Sequence, residues 1–216
     1  MPFSTYAELQ DAVLLWLARP GDSLLQPSVP DMIRLFEIEA NRRLRVMGAE
    51  KEDTIYVGAG PVSLPDDFQE LRKAWLDGGP VLEFLAPGNA GVWEQTGVPR
   101  YYTIVGGGDG GCGVGEGAQL LLAPSPTADT ALVHLLYQRG VPPLSDTNTS
   151  NWLLIQNPDA YLFGALGEAS LFIGHDERAL MWGQRRELAF AGIETADRKA
   201  RWGGAPLQIR TGAATP

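Results

Sequence analysis

The chain has 216 residues, 44% of them hydrophobic, with 17 basic and 26 acidic side chains and a formal net charge of -9. That length and apolar content are those of an ordinary soluble chain with a sizeable core, built as one domain or as one domain with a substantial insertion. The acid is concentrated in the middle, where residues 53–150 hold 4 basic and 11 acidic side chains; such a segment repels phosphate, which excludes sequence-independent DNA binding as the main activity.

The acids otherwise read as a solvated face. Cys112 is the only cysteine, so no internal disulfide or thiolate cluster is expected, in keeping with a reducing compartment. The N-terminus has neither the basic-then-apolar order of a signal peptide nor a transit peptide's arginine bias, and synthesis in the cytoplasm is the expectation.

In chain order, Thr5-Tyr6-Ala7-Glu8 is a capping-box pattern, and Leu9, Ala12, Val13, Trp16 and Leu17 follow at helical spacing. A first helix is predicted over about 5–18. Pro30 and Asp31 open a second, running toward Val46, with Ile33, Phe36, Ala40 and Leu44 as its buried stripe. Arg42, Arg43 and Arg45 lie near its end, where basic side chains complement the helix dipole and pair with acids; a binding face is the alternative.

The period then changes. Thr54–Val57 and Pro61–Leu64 read as short strands around a turn, and Leu71–Leu76 with Val81–Leu85 as a hairpin across Asp77-Gly78-Gly79-Pro80. A helical turn around Val92-Trp93 precedes three further strands, Arg100–Val105, Gln119–Ala123 and Ala131–Gln138. Gly106, Gly108 and Gly111 match a G-x-G-x-x-G spacing, but a strand follows instead of a helix, and no Gly-Lys-Ser/Thr is present. A hairpin tip without nucleotide is therefore expected. Asp109 and Glu116 are too few oxygens for calcium.

Asn157 reads as a helix N-cap, Pro158 as the first helical residue and Asp159 as a first-turn acid. From Ala160 to Ile173 only Glu168 and Ser170 are strongly polar, so this helix is predicted to be packed on several sides. Its apolar run of about 14 residues is short of the roughly 18–20 that span a bilayer, and no membrane insertion is expected. Gly164 and Gly167, each costing about 1 kcal/mol against alanine, point to close backbone approach. Leu162, Phe163, Leu166, Phe172 and Trp16 are expected to be buried together. Asp176 caps a last helix reaching about Trp202, with Leu180, Met181, Leu188, Ile193 and Ala196 as its apolar face.

The fold class that follows is α+β: an α-helical bundle of about four helices (1–52 and 151–202), an inserted antiparallel β module (53–150) and an extended C-terminal tail (203–216).

No catalytic, cofactor or metal site is read from the residues. His134 lies in a strand and His175 in a turn, neither with a partner at metal-ligand spacing. Ser63, Ser145, Ser150 and Ser170 lack a nucleophile-elbow context, and Cys112 has no oriented base. Asp66-Asp67 and Asp176-Glu177 serve as turn and cap residues. The alternative is a small hydrolase or ligand-binding module whose site is assembled in space, since a two-carboxylate glycosidase needs no local motif.

Three stretches carry a resemblance. Asn148-Thr149-Ser150-Asn151-Trp152-Leu153-Leu154, the run Asn157 to Ala169, and the helix opening at Asp176-Glu177-Arg178 resemble the head-to-tail adaptor proteins of tailed bacteriophages. The N-terminal segments Thr5–Leu17 and Val29–Arg45 are similar to that family's first two helices, and Leu64–Phe68 and Gly97–Tyr102 are similar too. The resemblance implies a structural virion protein without enzymatic activity. It implies a homo-oligomeric ring, dodecameric in the family, placed beneath the portal protein and joined to tail proteins (nozzle or tail tube), with a channel that DNA passes without specific binding. The place implied is the virion neck, after assembly in the host cytoplasm.

The tail, residues 203–216, has one charge, Arg210, and two sizeable apolar groups, Leu207 and Ile209. It cannot build a core alone. The alternation of Leu207 and Ile209 beside Arg210 suits an extended strand added to the portal or a neighbouring subunit, with folding back on its own subunit as the alternative.

Overall fold

The computed structural model describes residues 3–88, 90–106, 117–127 and 131–202. The helices are α1 (Tyr6–Trp16), α2 (Val29–Arg43), the short α3 (Ala90–Trp93), α4 (Trp152–Gln156), α5 (Pro158–Phe172) and α6 (Asp176–Trp202). The strands are β1 (Glu50–Val57), β2 (Val62–Ser63), β3 (Phe68–Leu76), β4 (Glu83–Phe84), β5 (Tyr101–Gly106), β6 (Ala118–Ala123) and β7 (Ala131–Arg139). The class is α+β.

Local chemistry sets the helix starts. The Thr5 side chain accepts from the Glu8 N–H while the Glu8 carboxylate accepts from the Thr5 N–H, a reciprocal capping box. Proline in the first turn of α2 and of α5 removes only an N–H that would have had no helical partner. Helix α5 ends at Gly174, whose φ of 74° permits paired closing bonds: Gly174 N–H to Leu171 O at 3.0 Å and His175 N–H to Ser170 O at 2.9 Å.

Helix α5 is the axis of the helical core and packs on α1, α2, α4 and α6. Of its residues, Ala160, Tyr161, Ala165, Leu166 and Ala169 are fully buried, as its nearly uniform apolarity requires. Gly164 meets the Phe36 ring of α2, where an added Cβ would lie 2.6 Å from Cγ. Phe36 in turn stacks on Phe190 of α6 (centroids 5.8 Å apart, planes at 7°) and tilts against Tyr161 (4.9 Å). Gly167 differs, since a Cβ there would meet only the Trp182 Cβ at 3.9 Å.

The strands form two sheets with their own core. One has the order β1-β7-β3, all antiparallel, with Val133, Leu135 and Tyr137 of the central strand buried in alternation. The other has the order β2-β6-β5-β4. Their facing sides bury Val57, Phe68, Leu120, Leu122, Val133 and Leu135, among others, separately from the helical cluster. The Tyr137 hydroxyl donates to Asp67 at 2.6 Å, and the Lys51 ammonium reaches the same carboxylate at 3.0 Å. Burial, with that hydrogen bond, pushes the Tyr137 phenol up to about 12.

Several expectations are corrected. A fifth substantial helical segment, α4, precedes α5: the Asn151 side chain caps it by accepting from the Leu154 N–H at 2.9 Å. Asn157 does occupy the position before α5, but its side chain makes no cap bond, because the residue also terminates α4 through its N–H to Leu153 O. The hairpin over Leu71–Leu85 is reduced to a single bridge, Trp75 to Val81, after which the chain crosses to the other sheet. There β4 pairs with β5 in parallel, whereas the other named strand pairs are antiparallel. Strands β1 and β2 lie in different sheets.

Trp16 (51% exposed) and Phe172 (57%) are not in the core, although Leu162 and Leu166 are. Trp16 instead packs edge-on against Phe163 and Trp182 at the margin. Helix α6 buries Trp182 and Phe190 with Ile193 half-buried, and turns Leu180, Met181, Leu188 and Ala196 to solvent. Two apolar stripes exist on that helix, and the one with the larger rings won the interior.

Candidate functional site

What the described residues build most firmly is a joint between bundle and sheets. The connector from β7 to α4 is tied to α2 at two points: the Val141 N–H donates to Asn41 Oδ1 at 2.6 Å and the Leu144 N–H to Glu37 Oε1 at 2.8 Å. Tyr161 of α5 donates its hydroxyl to the same Glu37 oxygen at 3.1 Å, and Asn151 Nδ2 donates to the Tyr161 oxygen at 2.6 Å and to Pro142 O at 2.8 Å. Glu37 is 1% exposed. Burial pushes its carboxyl above the ordinary glutamate value, although Leu144 and Tyr161 hydrogen-bond it in the opposing sense. The Tyr161 phenol is likewise raised by burial and by Glu37.

Helix α6, 27 residues and about 40 Å long at 1.5 Å per residue, makes the second connection. Its Asp197 accepts from the Met47 N–H at 2.6 Å, and Arg201 reaches Glu50 of β1 at 3.0 Å. Arg43 pairs with Glu187 and Glu194 and covers the Phe190 ring at 4.8 Å; Arg45 pairs with Glu70. These two arginines therefore serve pairing within the chain. Arg42 is exposed and has no ion pair among the described residues.

His134 acquires neighbours that its strand did not reveal. Its Nε2 lies 3.2 Å from Asp77 Oδ1, its Nδ1 3.2 Å from Thr54 Oγ1, and its ring stacks on Trp75. Among the described residues no group of three His, Cys, Asp or Glu side chains is placed to hold a metal. Leu207, Ile209 and Arg210 lie outside the described residues, as do Gly108, Gly111, Asp109, Cys112 and Glu116 of the glycine-rich run. No described helix is long and apolar enough to cross a membrane.

The surface carries more apolar area than the sequence suggested. Leu15 (68% exposed), Leu24 (76%), Leu180 (67%) and Leu188 (73%) stand in solvent. A cleft of about 390 Å³ opens beside α1, lined by Asp11, Leu14, Leu15, Pro20, Gly21 and Gln26. Another of about 320 Å³ lies on the outer side of β5 and β6, where Thr103 is buried with its hydroxyl unpartnered among the described residues. Solitary exposed leucines are ordinary, but repeated ones on one helix mark contact surface. Leu180 and Leu188 are residues that the sequence marks as the apolar face of the last helix.

No curated protein matches the chain. A family model does: SU10 adaptor protein, matching residues 4–210. The chain belongs to this family of phage head-tail adaptors. As a member of the SU10 adaptor family, this chain is a structural virion protein. As an adaptor it interacts with head and tail components of the phage. The match runs through both helical segments and the sheets between them.

Proposed function

We propose that this adaptor forms a closed homo-oligomeric ring, dodecameric as the family resemblance implies, which joins the portal protein at the capsid vertex to tail proteins and leaves a channel for the genome. The observation that carries the reading is the family match over residues 4–210. The charge distribution supports it, since a surface that DNA slides past should not neutralise phosphates, and residues 53–150 carry 11 acidic against 4 basic side chains.

In this reading residues 1–52 and 151–202 act as one helical unit, 53–150 as an inserted β module, and 203–216 as a docking tail that presents Leu207, Ile209 and Arg210 to the portal or a neighbour. Two separate hydrophobic cores support the division. The tied connector and the α6 clamp supply the rigidity that a load-transmitting ring needs. Assembly takes place in the host cytoplasm.

The test is the mass of the assembled species, measured for the purified protein alone and after mixing with portal. A closed ring in either sample is expected. A protein that stays monomeric in both contradicts the reading.

A further inference from the structure

Two exposed helix stripes of this chain have complementary chemistry. On α6, Arg178, Met181, Arg185, Leu188, Gly192 and Lys199 recur at spacings of three, four or seven, so they share one side of the helix. All six are exposed; Met181, Leu188, Gly192 and Lys199 lie away from buried Trp182 and Phe190, while Arg185 borders the interior with its guanidinium 5.6 Å from the Phe163 ring centroid. Arg178, Arg185 and Lys199 make no ion pair among the described residues; one exposed acid, Glu177, lies four residues before Met181 at the N-terminal end, which leaves the stripe net basic. On α1, Glu8, Asp11 and Leu15 recur at three and four on the exposed side, with Leu15 and Asp11 also forming the wall of the 390 Å³ cleft. Asp11 has no ion-pair partner among the described residues. One stripe is convex, apolar and basic; the other is apolar, acidic and borders a cleft.

We propose that each stripe is covered by the other one on a second copy of this chain: the α6 stripe of one subunit packs on the α1 stripe and cleft of the next. Leu188 enters the cleft beside Leu15, while Arg178 and Arg185 face Glu8 and Asp11. The charges decide the arrangement. A two-fold contact of α6 on α6 sets arginine against arginine, and α1 on α1 sets acid against acid, so only the head-to-tail combination pairs opposite signs. Head-to-tail contacts close into rings when the rotation permits. The inference rests on the ring reading and assigns its subunit contact.

The test places a photo-cross-linking phenylalanine analogue at position 188 of the full chain, attached to portal-bearing capsids, and identifies the linked peptide by mass spectrometry. A link to residues 8–26 of another copy is expected. A link to portal, to a tail protein or to another part of a neighbouring copy overturns the interface, as does the absence of any intermolecular link. A second variant, Leu188→Asp, should melt with the wild type because the position is exposed, yet reduce attached copies by roughly tenfold or more; full attachment of that variant also overturns the interface. A ring seen at the neck with Leu188 linked elsewhere would keep the ring and discard this contact, whereas attachment as isolated single copies would discard both.

Discussion

Gly164 presents bare backbone to the face of Phe36, and no other residue type fits there. The ring cannot retreat, because Phe190 stacks on it and Tyr161 tilts against it. Helices α2, α5 and α6 therefore meet at one point whose spacing is fixed by the missing side chain.

Gly164→Ala should destabilise the protein by about 1–3 kcal/mol, since overpacking outweighs the gain in helix propensity. Gly167→Ala, where the new methyl meets ordinary contact distances, should instead stabilise by up to about 1 kcal/mol. Thermal or denaturant unfolding of the pair reads the difference, and equal effects would mean that the helices are not apposed at Gly164.

The two asparagines that flank α4 give a second contrast. Asn151 caps α4 and holds Pro142 O and Tyr161 through buried bonds, while the Asn157 side chain makes no cap bond. Asn151→Ala should cost about 2–3 kcal/mol and Asn157→Ala well under 1 kcal/mol. The reverse order in an unfolding titration would place the cap at the wrong residue.

Glu37 ties stability to pH. Burial raises its folded-state carboxyl above the ordinary 4.5, so the folded state holds that proton more tightly than the unfolded chain. Its contribution to stability is fully present below 4.5 and is lost as pH rises through the folded value. Glu37→Gln keeps an oxygen that accepts from Leu144 and Tyr161 but cannot titrate. Lowering pH from about 7 to about 4 should therefore improve the wild type's melting temperature relative to that of the variant. A gap that is constant, or that moves the other way, would show that Glu37 is not held in a raised state.

These contrasts also mark what could be read from the residues. The capping box at Thr5 and Glu8 and the all-round apolarity of α5 are local patterns, and local geometry realised them; glycine at 164 also announced a close approach, although the partner, Phe36 of α2, could not be read. Strand partners were not legible, because Ile55 meets Val133 and Leu71 meets Tyr137 across long stretches of chain, and alternation specifies a face but not a neighbour. The buried side of α6 was equally hidden. Leu180, Met181 and Leu188 compete with Trp182, Phe190 and Ile193 for the interior, and only the Phe36 ring and the Phe163 ring select the second set. Glu37 had no local signal at all: its burial follows from the connector after β7, which brings it a backbone N–H from a distant stretch of chain.

The tail gives a prediction that separates docking from folding. Deleting residues 204–216, with Leu207, Ile209 and Arg210, should leave the melting temperature of the isolated subunit nearly unchanged while abolishing attachment to portal-bearing capsids. Unimpaired attachment would refute the docking role, and a large loss of subunit stability would favour a tail folded back on its own subunit.

The most direct measurement is a symmetry-resolved image reconstruction of the neck of the assembled virion. A closed ring of this chain between portal and tail is expected, continuous around a channel wide enough for duplex DNA. Density for this chain that is absent from the neck, or present there as separate copies without lateral contact, would contradict it.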